Sequence, residues 1–157
     1  MSEKLSHINE QGEAHMVDVS DREITTRSAT ASGKVLLSKS VLTQIADGTT
    51  PKGDVLATAR VAGIMGAKKT PELIPLCHPI SISSVNVDVK VESDGVAIKA
   101  TVKIADRTGV EMEALTAVSI TALTIIDMVK ALDPSATITD VRVDEKDGGR
   151  NGHWQRS

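Results

Sequence analysis

The sequence predicts an α+β fold: an antiparallel four-stranded sheet with helices packed on one face. Three observations carry the prediction. Ile82 to Val91 alternates cleanly, with Val85, Val87, Val89 and Val91 on one side and polar or charged residues on the other, the period of a half-buried strand. Ser93-Asp94-Gly95 supplies turn chemistry, and Val96 to Ile104 returns as the hairpin partner. From about Val110 to Leu132 a long apolar segment follows, stopped by Asp133-Pro134, and its length suits a helix.

The remaining elements fall around these. Residues 1–25 are polar and aperiodic and read as a mobile arm. A first strand is expected from about Thr26 to Leu37. Ser38 and Ser40 offer caps for a helix through Val41 to Ala46 that Gly48 ends. Behind Asp54, an acid suited to a helix start, Val55, Ala59, Ala62 and Met65 recur at helical spacing toward Lys68. Lys68 to Pro79 carries Pro71, Pro75 and Pro79 and reads as a stiff, non-helical segment. The last strand runs from about Ala136 to Asp144, before the glycine-rich end from Lys146 to Gly152. Strand, helices, strand, strand, helix, strand is the order of the ferredoxin-like split βαβ sandwich. The division expected is an arm over 1–25, one domain over 26–146 and a flexible tail over 147–157.

Composition narrows the function. With 157 residues, 40% of them apolar, the chain can bury one sizeable core. It has no Phe, no Tyr and only Trp154, so the core must be built from Val, Ile, Leu, Ala and Met. Aromatic faces for base stacking are missing, and a net charge of −3 gives no global basic field, so nucleic acid is an unsuitable partner. There is no run of eighteen uninterrupted apolar residues and no charged-then-apolar leader, which points to the cytoplasm rather than a membrane. A lone Cys77 cannot make an internal disulfide and fits a reducing compartment.

Cys77 and His78 invite a metal or thiol reading. A zinc site wants about four ligands, and His7, His15 and His153 lie in the arm and the tail. Neighbours in an extended segment also point to opposite sides, so the pair would not chelate one ion. Cys77 then reads as a small buried hydrophobe, and His78 as a donor to a polar ligand or a general acid. Glu111 and Glu113 open the long helix, where acids complement the helix dipole; at the edge of a buried helix they also suit ring N–H groups. Asp127 and Lys130 form either a surface ion pair or a buried pair tuned for proton transfer. Lys52, with Lys68, Lys69, Arg27, Lys146 and Arg150, could contribute to a local anion site.

Distance separates these groups. Glu113 and Asp127 are fourteen residues apart, about 21 Å along one helix at about 1.5 Å per residue, and cannot converge within one chain. Two copies of the helix packed antiparallel about a two-fold axis would bring them together. The helix is also apolar nearly all round, so its second face meets either another subunit or the other helices of the same chain.

The motifs together resemble one family. Met16-Val17-Asp18-Val19-Ser20, Lys52-Gly53-Asp54-Val55, Ala57 to Ile64, Leu73-Ile74-Pro75-Leu76-Cys77-His78-Pro79 and Gly109-Val110-Glu111-Met112-Glu113-Ala114-Leu115-Thr116-Ala117 look like the cyclic pyranopterin monophosphate synthases, the MoaC-type enzymes of molybdenum cofactor biosynthesis. The likeness runs from about Ser6 to Asn151. It implies an enzyme without a cofactor or metal that turns a 3′,8-cyclised GTP derivative into cyclic pyranopterin monophosphate and releases pyrophosphate. It implies a hexamer, a trimer of dimers, with sites at the dimer interface. By motif position, Leu76, Cys77, His78, Met112 and Glu113 match substrate-binding segments, and Arg27 and Glu111 match further pocket residues. Asp127 matches the catalytic aspartate, and Lys52 and Lys130 match catalytic lysines. One departure is the tail, where Asp147 replaces a serine while Arg150 keeps a positive charge. The rivals are a ligand-binding module without catalysis and a metal–thiol protein; a buried Asp127–Lys130 pair would favour the enzyme.

Overall fold

The computed structural model describes residues 7–157. β1 (Thr25–Leu36) lies inside the sheet and pairs antiparallel with both β3 (Gly95–Asp106) and β4 (Thr137–Asp147). β2 (Ile82–Val91) pairs antiparallel with β3 at one edge, giving the order β2-β3-β1-β4 expected of the ferredoxin-like arrangement. A fifth strand adds to the four expected. Beyond β4 the chain turns at Gly148 and Gly149, both at positive φ where a side chain would be strained, and β5 (Trp154–Gln155) pairs with Lys146 and Glu145.

The helices are α1 (Lys39–Asp47), α2 (Val55–Lys68), α3 (Thr70–Leu73) and α4 (Glu111–Val129). Ser38 is the N-cap of α1 by position, but its side chain makes no capping bond; its backbone N–H donates to Asp133 Oδ2 at 2.7 Å. Buried Asp133 therefore ties the end of α4 to the start of α1. Gly48, at φ 68°, closes α1, and the Asp54 carboxylate accepts from the Ala57 N–H at the head of α2. α3 interrupts the segment expected to be non-helical: Pro71 sits in its first turn, where proline's missing N–H costs nothing.

Without aromatics, the core interdigitates small and branched side chains. Ala29, Ala31 and Val35 of β1, Val96, Ile98, Ala100, Val102 and Ile104 of β3, and Ala114, Val118, Ala122 and Ile125 of α4 are all buried. The second side of α4 is covered largely by α2 of the same chain. The approach is close because α2 presents Gly63 and Gly66, where a Cβ would collide with Thr121 and Ile120 of α4. Helical spacing puts Met65 inward, but Gly63, Gly66 and Ala67 take the buried positions and Met65 is exposed. By length and composition α4 could cross a membrane, but it lies between the sheet and α2 as a core helix. A strip of α4 stays uncovered, including Met112 and Leu123, the latter 54% exposed.

Candidate active site

At the start of α4, three segments enclose a cavity of about 250 Å³. The loop after α3 brings Leu76, Cys77 and His78, the helix brings Glu111, Met112 and Glu113, and the arm brings His7, Val17, Val19 and Arg22. The Cys77 N–H donates to the Ile74 carbonyl at 3.1 Å, curling the chain into a turn. Cys77 and His78 consequently both line the cavity wall, where an extended segment would have separated them. His78 Nε2 donates to the Val17 carbonyl at 2.7 Å and so fastens the arm to the loop.

Glu113 is the buried carboxylate here, 3% exposed. Burial pushes its pKa up to about 6; its own backbone N–H offsets part of this, and the charge of Glu111 adds to it. Burial also pushes the Cys77 thiol up, reinforced by the charge of Glu113. The thiol is therefore held protonated and is a poor nucleophile at neutral pH.

A second cavity, about 300 Å³, shares Arg22, Gly109 and Glu111 with the first. Its walls add Arg27 and Ser28 from β1 and Lys146, Asp147, Gly148, Arg150 and Asn151 from the end of β4 and beyond. Lys146 Nζ donates to Glu111 Oε1 at 3.1 Å, and Arg27 Nε donates to the Asp106 carbonyl at 3.1 Å. Among the described residues that line this cavity, four cations, Arg22, Arg27, Lys146 and Arg150, stand against two carboxylates, Glu111 and Asp147, a surplus that suits a phosphate-bearing ligand. Of the cations grouped from the sequence, Arg27, Lys146 and Arg150 converge here. Lys52, Lys68 and Lys69 do not.

The other end of α4 is different. Lys52 Nζ donates to the Asp127 carbonyl at 2.8 Å and lies 3.5 Å from Asp127 Oδ2, while Lys130 Nζ donates to Asp127 Oδ1 at 2.7 Å. All three side chains are open to solvent, at 49% for Lys52 and 60% for Asp127 and Lys130. The expectation of a buried pair is therefore corrected. Ile125, Met128 and Val129 of the same turn are buried, and Asp127 and Lys130 lie on the face of the helix that neither α2 nor the sheet covers. Asp127 is held below the usual carboxylate range by its hydrogen bond and charge contact with Lys130 and by Lys52, so desolvation does not tune it toward neutral pH. Burial of the pair can no longer separate enzyme from binding module.

Arg22, His7 and Thr108 line the first cavity without a signal in the sequence, and Val17 and Val19 line it from the Met16–Ser20 motif, whose residues the sequence does not assign to the site. Arg22 stands between Asp21 and Glu23 in a polar stretch and reads as a solvated charge. Among the described residues, no three His, Cys, Asp or Glu side chains gather to hold a metal ion.

Fold and cleft define the class, a ferredoxin-like α+β protein with a cation-rich cleft at the start of its core helix. Residues 16–149 match the MoaC family model, and the chain belongs to that family. It is 63% identical over 155 residues to a cyclic pyranopterin monophosphate synthase of Streptomyces avermitilis, covering 99% of this chain and 91% of the relative. A protein of the same name from Nocardioides sp. is 60% identical over 156 residues, 98% and 96% of the two chains. Cyclic pyranopterin monophosphate synthase 3 of Mycobacterium tuberculosis is 59% identical over 153 residues, 97% and 86% of the two chains.

Proposed function

We propose that the chain is a cyclic pyranopterin monophosphate synthase, converting a 3′,8-cyclised GTP derivative to cyclic pyranopterin monophosphate with release of pyrophosphate. The observation that carries this is the joining of two cavities at Glu111: a buried carboxylate, Glu113, beside Cys77 and His78 on one side, and a cation-rich pocket on the other. The first suits a purine-derived ring and the second its phosphates. Rebuilding the ring and closing a cyclic phosphate require several proton transfers, so acids and bases are needed on both sides of the substrate.

Lys52 and Lys130 act as the proton-transfer pair, with Asp127 orienting Lys130. Leu76, Cys77, His78, Met112, Glu113, Glu111 and Arg27 bind substrate. Because the lysines and the cleft occupy opposite ends of α4, the site is completed by a second copy whose α4 runs antiparallel to the first. Desolvation of the lysines then comes from the partner and not from the chain's own core. The assembly is a cytoplasmic hexamer, a trimer of dimers. Each copy is a single catalytic domain over 26–146 flanked by the arm (1–25) and the glycine-rich end (147–157).

The test is to incubate the protein with the cyclised GTP intermediate and follow pyrophosphate and pterin. Stoichiometric release of both supports the reading. Binding without either product makes the chain a metabolite-binding module, and a monomer with full activity removes the shared site.

A further inference from the structure

The arm residues at the cleft form a turn clamped at both ends. Within it, the Ser20 N–H and Oγ both donate to Asp18 Oδ1, and the Arg22 N–H donates to the Val19 carbonyl. One end is fixed by His78 on the Val17 carbonyl. The other is fixed from the corner after β3, where Arg107 Nε donates to the Arg22 carbonyl at 3.0 Å. The corner itself is rigid. The Arg107 N–H donates to Asp106 Oδ1 at 2.6 Å, and the Asp106 carbonyl accepts from Arg27.

Two adjacent residues thus hold two of the three arginines of the cleft, Asp106 through the Arg27 side chain and Arg107 through the Arg22 backbone. Arg22 lines the first cavity, the second and an adjoining one of about 350 Å³, so the residue stands where these spaces meet. Among the described residues no carboxylate pairs with Arg22, Arg27 or Arg107 within ion-pair distance, although Asp21 and Glu23 flank Arg22 in sequence. A half-buried guanidinium without a carboxylate is a charge kept for an anion arriving from outside.

We propose that Arg107 is a positioning residue that sets Arg22 at the cavity junction, and that Arg22 contacts the substrate's phosphate chain. The inference rests on the reading of the cleft as a nucleotide-derived substrate site. Binding of inorganic triphosphate tests it without turnover. By calorimetry, Arg22→Ala and Arg107→Ala should each weaken triphosphate by about tenfold or more, the scale of one charge-assisted hydrogen bond. The double variant should be no weaker than Arg22→Ala alone, and Arg107→Lys, which keeps a donor, should recover most of the loss. In turnover, Arg107→Ala should raise KM and leave kcat within about twofold.

An additive double variant, wild-type affinity in Arg107→Ala, or a fall in kcat at unchanged KM overturns the assignment. Should Arg107→Ala not fold, Arg107→Met keeps the aliphatic stem and removes only the donor. If triphosphate binding follows the expected pattern while pterin is never formed, the activity reading fails and the positioning role stands.

Discussion

The two ends of α4 carry the same kinds of residue and hold them in opposite ways. At its start, Glu113 is enclosed by the arm, the loop after α3 and the helix itself, and its pKa rises to about 6. At its end, Asp127 sits in water between two lysines, and its pKa falls. Sequence suggests the reverse emphasis, since Asp127 lies among Ile125, Ile126, Met128 and Val129 and looks buried, whereas Glu113 looks like an ordinary helix-start acid. Burial is decided by which face a residue presents and what packs there, not by the apolarity of its chain neighbours. One end is an enclosed pocket, and the other is a solvent-exposed cluster of one carboxylate and two lysines.

The largest expected effect tests whether the two ends belong together. Lys52→Ala and Asp127→Ala should each lower turnover by about 10²–10⁴, the scale of a lost acid–base group, while substrate still binds. Unfolding and refolding an equal mixture of Lys52→Ala and Glu113→Ala should then recover about a quarter of wild-type activity, because half the dimers are mixed and one of their two sites is intact. A mixture that stays dead separates the two ends.

Next in size is the buried carboxylate. The folded pKa of Glu113 lies above its unfolded value of 4.5, so the native state binds more protons between pH 4.5 and about 6, and stability falls as pH rises through that window. Glu113→Gln removes the charged form and should raise stability at pH 8 by up to about 2 kcal/mol, a gain that vanishes below about pH 4.5. Urea denaturation at both pH values measures it; an equal gain at both would sink the burial argument. Asp127→Asn should show no such pH-dependent gain.

Lys146→Ala breaks a partly exposed ion pair with Glu111 and should cost less than about 1 kcal/mol of stability, while raising KM severalfold through the lost cation. Unchanged KM would remove Lys146 from the phosphate pocket. The smallest effect concerns Cys77. Iodoacetamide should label it slowly at pH 7, and Glu113→Gln should speed the labelling by removing a neighbouring negative charge. Fast labelling of the unaltered protein would contradict an enclosed thiol.

Much of the fold is legible because periodicity reports it directly. The alternation from Ile82 to Val91 and the Ser93-Asp94-Gly95 turn specify one hairpin, while α4 ends at Val129, three residues before the Leu132 end expected from Asp133-Pro134. Met65 misleads because spacing cannot tell that Gly63 and Gly66 are the residues that let two helices touch. α3 is too short to show a period, and β5 has only two residues, held by pairing with β4. Of the site, the motif residues Leu76, Cys77, His78, Glu111, Met112 and Glu113 are found in the chain, and the structure brings them to one cavity. Arg22 and Arg107 have no local pattern, because the bond that joins them spans 85 residues.

By itself the sequence determined the order and type of the main elements, an aromatic-free core and the family, since each depends on residue identity and local spacing. It also placed Glu113 and Asp127 too far apart on one helix to meet. Tertiary structure decided which carboxylate is desolvated, which cations gather in the cleft and how the arm is clamped over it. Those outcomes depend on contacts between segments remote in sequence, and desolvation and charge act through space rather than along the chain.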